Sequence, residues 1–124
     1  MPVIDRDAQR HHELHGVRFH TLASPSSLGS EETSVWRVRL EPGTPGLPHR
    51  VTREEIFVVL SGSATARLDG TAHPLSAGST LVLPAGVELA LETGAESLEA
   101  IVCLPVGGQG VVGDGEPFTP PWAE

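Results

Sequence analysis

The chain has one cysteine, Cys103. That excludes an internal disulfide and any zinc site built from several thiolates. It has no apolar run near the ~20 residues a membrane helix needs, so no membrane partner is expected. Positive charge is scarce: eight basic residues stand against sixteen acidic ones, a formal net charge of −8. This balance argues against a nucleic-acid groove or an anionic lipid surface as partner. The first residues, MPVIDRDAQRHHELHG, lack the basic-then-apolar order of a secretory signal, and the cytoplasm is the expected location. No convincing amphipathic helix and no fixed repeat is present. There is no nucleophile elbow and no phosphate-cradling loop leading into a helix. The run Gly107, Gly108, Gln109, Gly110 lacks dinucleotide-binding spacing and reads as a loop.

What is there points to strands. The 124 residues suit one domain. Hydrophobic residues make up 39% and charged residues 19%, a globular composition. Fourteen Gly and eleven Pro punctuate short apolar runs, the pattern of an all-β protein with frequent tight turns. Residues 17–22, 34–40, 55–60, 63–68, 71–75, 80–83, 87–92 and 98–104 read as strands. Within 34–40, Trp36, Val38 and Leu40 alternate with Val35, Arg37 and Arg39, so one face is wet. The run 55–60 reads as buried on both faces. Ser61-Gly62 reads as punctuation before a hairpin partner, and Asp69-Gly70 as a tight hairpin turn. Glu41 to Pro48, with three prolines, is neither strand nor helix. About eight or nine antiparallel strands imply a sandwich or barrel. Residues 1–16 form an expected polar arm, with room for a helical turn. Residues 17–105 form the barrel, and 106–124 a Gly/Pro-rich tail on the barrel or a partner subunit. Residues 24–32 read as a loop.

Two stretches are more specific. GTPGLPHRVTREEIFVVLSG spans Gly43 to Gly62, and GSTLVLPAGVEL spans Gly78 to Leu89. Their glycines, Pro84, His49 and Glu55 fall at the spacings of the two cupin motifs, and the chain resembles a small single-domain cupin of the cupin_2 type. The resemblance implies a conical jelly-roll β-barrel and a homodimer. In such proteins the motifs offer three histidines and a glutamate to a divalent metal. Here Val51 and Leu89 stand at two of the histidine positions, and Thr93 at an asparagine position. Only His49 and Glu55 remain. Two ligands beside aliphatic groups hold a metal poorly. No cofactor is therefore expected; a divalent transition metal, if held, would use His49 and Glu55.

Val51, Glu55, Phe57 and Val59 share parity, and these with His49 and Leu89 are the expected cavity lining. Two polar groups in an apolar cup are costly unless paired. His49 and Glu55 could form a structural pair, the polar end of a ligand cavity, or an acid–base pair. A metal site completed by an unexpected ligand is a further alternative. His11, His12 and His15 read as surface residues, and His73 as exposed. His20, in a strand, is the one upstream histidine placed as a cavity candidate. Cys103 reads as an inert core thiol. Arg37 and Arg39 could form a basic edge or a solvated face. Arg50, Arg53 and Glu54 read as facing water. Trp36 and Trp122 read as packing anchors, Trp122 with the option of docking on a partner.

Three functions compete. The first is a cup that binds a small, largely apolar molecule. The second is an enzyme: a metal-independent isomerase, epimerase or cyclase, or a metal-dependent oxygenase with a non-standard ligand set. The third is a dimeric module that modulates another protein. The fold hosts very different activities and does not choose among them.

Overall fold

Alternation of apolar and polar residues builds ten strands, in a computed structural model that describes residues 3–26 and 29–124. They are β1 (Arg10–Leu14), β2 (Val17–Ala23), β3 (Thr33–Leu40), β4 (Arg50–Val51), β5 (Glu55–Leu68), β6 (Thr71–Ser76), β7 (Thr80–Leu83), β8 (Leu89–Glu92), β9 (Leu98–Pro105) and β10 (Gly110–Val111). Helical structure among the described residues is limited to two short 3-10 turns, Arg6–Ala8 and Pro121–Ala123. Every strand pair is antiparallel. The main path runs β1-β2-β3-β9-β5-β6, with β7 and β8 also paired to β5. The architecture is the expected all-β jelly-roll cup. Of the expected loop 24–32, residues 27 and 28 lie outside the described residues, as do residues 1 and 2 of the expected arm.

β5 joins the two walls. Its first half pairs with β7 and β9, and its second half with β6 and β8. The expected hairpin at Ser61-Gly62 is thus a bend inside one 14-residue strand. Gly62 has φ +80°, and a Cβ there would lie 1.7 Å from the Ser97 carbonyl oxygen. Only glycine lets the two backbones approach this closely. The Asp69-Gly70 turn is as expected. Both residues have positive φ, 48° and 85°, and Leu68 pairs with Thr71, as in a type I′ hairpin.

The inner faces form one core. Leu83, Leu89, Leu98, Leu104 and Val102 are almost fully buried, each contributing about 1.5–3 kcal/mol by burial. The outer face differs from the expectation for 55–60. Glu55, Phe57 and Val59 point in and are buried, but Val58 and Leu60 are exposed. The run is apolar throughout, yet only one side of it faces a second layer.

The N-terminal segment holds a strand beyond the expected polar arm, and the tail packs on the barrel, one of its two expected placements. Arg10–Leu14 is a strand that pairs with β2. Its turn is His15-Gly16, with φ 52° and 79°. The tail lies across the cup. β10 pairs with β4, and Trp122 stacks on Phe19 with ring centroids 3.6 Å apart. The Thr21 and Ser34 hydroxyls donate to the Trp122 and Ala123 carbonyls, each at 2.7 Å. Trp122 therefore anchors on its own barrel.

Candidate functional site

Inward-facing residues of β2, β3, β5, β8 and β9 surround a cavity of about 210 Å3. Phe19, Trp36, Val38, Phe57, Leu89 and Val102 supply most of its apolar wall. The tail contributes Phe118, Pro120 and Trp122, and the β1–β2 turn contributes Leu14 and His15. Val51, Phe57 and Leu89 line it as expected. Val59 is buried in the core but is not among the lining residues. It sits further along β5, where Ala100 of β9 is its partner.

Glu55 opens β5 and faces this cavity with 5% of its surface exposed. Its carboxyl makes no side-chain hydrogen bond or ion pair among the described residues. Burial with nothing to compensate it pushes the pKa up to about 8. At neutral pH the group is mostly a neutral acid and can donate a hydrogen bond into the cavity.

His49 is set by a backbone bridge to β8. Its N–H donates to the Leu89 carbonyl at 3.0 Å, and Leu89 N–H donates back at 2.8 Å. The ring Nδ1 lies 3.0 Å from the Leu47 carbonyl oxygen. That oxygen can only accept, so Nδ1 carries the proton and a neutral ring presents Nε2 as an acceptor. No hydrogen bond joins His49 to Glu55, so the direct structural pair is not formed.

The residues present fit a divalent metal poorly. Among the described residues, no three His, Cys, Asp or Glu side chains converge. Val51 and Leu89 face the cavity beside His49 and Glu55. Thr93 is engaged elsewhere: its hydroxyl donates to the Glu41 carbonyl at 2.6 Å and accepts from Thr44 N–H at 2.9 Å. It pins the proline-rich loop to the barrel.

Strand parity and exposure place the remaining candidates. His20 points to the outer face, beside Arg37. Cys103 also lies on that face, half-buried between Val35 and Ile56, and burial pushes its thiol up. Arg50 is half-buried and paired with Glu88 at 3.3 Å, while Arg53 and Glu54 are exposed. His73 is exposed on β6. Two cavity features were missed. His15 is exposed, as read, but also borders the cavity from the His15-Gly16 turn. The roof residues Phe118, Pro120 and Trp122 show period-two alternation inside a tail read as irregular.

A curled antiparallel cup with a lined apolar cavity defines the protein as a jelly-roll barrel. Residues 36–106 match the family described as Cupin domain, and the chain belongs to that family. It is 30% identical over 82 residues to dimethylsulfoniopropionate lyase DddW of Ruegeria pomeroyi, covering 66% of this chain and 54% of that protein. It is 31% identical over 99 residues to auxin-binding protein 1 of Arabidopsis thaliana, covering 72% of this chain and 50% of that protein. The chain thus spans about half the length of these curated relatives. The polyketide cyclase RemF of Streptomyces resistomycificus superposes with a TM-score of 0.74 at 18% identity, covering 85% of this chain and 79% of that one. No described helix is long and apolar enough to cross a membrane.

Proposed function

We propose that the cup holds a small, largely apolar molecule whose single polar atom is a hydrogen-bond acceptor, met by the protonated carboxyl of Glu55. The observation that carries this reading is the buried carboxyl of Glu55, unpartnered and aimed into an apolar cavity. The carboxyl has no protein partner among the described residues, and a ligand carbonyl would supply one. The apolar wall supplies affinity and the one polar contact supplies orientation. In this reading Val51 and Leu89 give the cavity wall instead of metal ligands. The relative named as an auxin-binding protein supports a binding role for this architecture.

The test uses two probes of similar shape, acetophenone and ethylbenzene, followed by NMR shifts of the cavity methyl groups. Acetophenone should bind about tenfold more tightly, the worth of one good hydrogen bond in a dry site. Glu55→Leu should erase that difference and leave ethylbenzene binding intact. Equal binding of both probes to the natural protein would defeat the reading.

A second reading is favoured by the same carboxyl. A group with its pKa near 8 is poised for proton transfer at neutral pH. His49, with Nε2 as acceptor, would be the complementary base. The lyase and cyclase relatives fit this reading. Glu55→Gln separates the two, because the amide still donates a hydrogen bond but cannot exchange a proton. In the binding role it keeps the acetophenone preference. In the catalytic role any turnover found is lost while binding persists.

A further inference from the structure

The outer face of β1, β2 and β3 carries a second polar site, unrelated to the cavity. All eight basic residues of the chain are arginines. Arg39, Arg50 and Arg67 pair with glutamates. Arg10 donates to the Ser24 hydroxyl and the Glu124 backbone oxygen. Arg6, Arg18, Arg37 and Arg53 have no carboxylate at ion-pair distance among the described residues. Arg53 stands apart, in the loop before β5. The other three gather around one histidine pair, in a chain whose net charge is −8.

The pairing register creates this cluster. His11, His20 and Arg37 lie directly opposite one another on three adjacent strands. The two imidazole rings meet edge to face with centroids 4.3 Å apart. Arg37 Nη2 lies 3.3 Å from His20 Nδ1. A guanidinium can only donate, so Nδ1 accepts and the neutral ring of His20 carries its proton on Nε2. Arg6 and Asp7 of the 3-10 turn and the following Gln9 border, with these residues, an open surface depression of about 350 Å3. Asp7 is the only acidic residue lining it. Glu99, across β3, lies 3.6 Å from Arg39.

We propose that this depression is an oxyanion-binding site, suited to a doubly charged group such as a phosphate monoester. Arg37 supplies the fixed charge and a planar set of donors. Arg6 borders it from the 3-10 turn. His11 and His20 add donors, and positive charge when protonated. Arg6 and Arg37 outnumber Asp7 in the lining, and a bound dianion offsets that excess of positive charge. The titration of His20 reflects these surroundings: burial, then His11 and Arg37, lower its pKa, with Arg18 acting the same way and Glu99 opposing. Protonation of these rings strengthens the anion's hold, so affinity rises as pH falls. Asp7, the acidic residue in the lining, offsets part of the positive charge.

Sulfate is the probe, because its charge is constant across the range in which histidine titrates. It is titrated at fixed ionic strength against chloride, with histidine ring resonances followed by NMR. The natural protein should bind sulfate saturably, tightening by about tenfold from about pH 7.5 to about pH 5.5. Arg37→Gln should weaken binding by about tenfold, the worth of one charge-assisted contact. Arg53→Gln should leave it unchanged. The pair His11→Gln, His20→Gln should flatten the pH dependence while the protein keeps its dispersed spectrum. Acetate, a monoanion, should bind at least about tenfold more weakly. The proposal is overturned by any of four results: no saturable sulfate binding above chloride, equal losses in Arg37→Gln and Arg53→Gln, acetate matching sulfate, or a pH dependence that survives loss of both histidines.

Discussion

Glu55 and His20 stand on opposite sides of the same β-layer, and burial moves each toward its uncharged form. It pushes the Glu55 carboxyl up to about 8 and lowers the pKa of His20. The two surroundings differ in kind. Glu55 is the acidic group at a largely apolar wall, and it escapes the cost of burial by keeping its proton. His20 sits among cationic neighbours at the surface, where water and counter-ions remain available. A layer one strand thick thus separates a site suited to a neutral acceptor from one suited to a dianion. The dividing factor is which side of the pleat a residue occupies.

The sharpest way to break this contrast is to truncate one aliphatic side chain to alanine on each side. Leu83→Ala on the inner face should cost about 2–5 kcal/mol, because it opens a void in a closed core. The adjacent Val82→Ala, on the outer face with 49% exposure, should cost less than about 1 kcal/mol. Urea unfolding of both variants checks this, and similar losses would mean that the outer face is covered in solution.

The inner side can next be made polar. Val51→His with Leu89→His should lower the melting temperature, since both native side chains are buried. Added zinc or nickel should restore much of it, because the two introduced imidazoles would join His49 and Glu55 at one end of the cavity. Melting curves with and without metal decide the matter; no metal-dependent recovery would show that these four positions do not converge.

The buried acid makes a pH prediction. The native state holds a proton that the unfolded chain, with a carboxyl at its ordinary value of 4.5, releases. Stability should therefore fall as pH rises from about 4.5 to about 8, by up to a few kcal/mol, and then level off. Glu55→Gln carries no titrating group. It should match the natural protein at the acid end of that window and exceed it near pH 8. Parallel unfolding curves at all pH values would contradict the raised pKa.

The smallest effect belongs to the outer side. Arg37→Gln should change stability by no more than about 0.5 kcal/mol. It should raise the pKa of His20 part of the way to the ordinary value, leaving the larger effect of burial in place. NMR titration of the ring measures it, and an unmoved His20 would show that the two groups do not communicate.

Strand positions were largely legible from residue patterns. Thr80–Leu83 matches its expected bounds, and β3 and β9 lie within a residue of theirs. Parity grouped His49, Val51, Glu55 and Phe57, and these lie along the cavity wall with Leu89. The misreadings have physical causes. Gly62 was read as a reversal because positive φ serves a bend and a hairpin equally well. Val58 and Leu60 were read as buried because β-propensity and hydrophobicity do not say whether a second layer exists. His20 was read as the upstream histidine best placed to reach the cavity, yet lies on the outer face, because period-two alternation separates two faces without saying which is inner.

Local chemistry was enough to determine the antiparallel β architecture, the Asp69-Gly70 hairpin and the loss of nitrogen donors at Val51 and Leu89, because these depend on residue types at short separations. The roof of the cavity, the isolation of the Glu55 carboxyl and the row of His11, His20 and Arg37 were decided only by the folded chain. Each depends on contacts between residues far apart in sequence, such as Thr21 with Trp122 and His20 with Arg37. The pairing register that makes them is selected by packing the whole core at once.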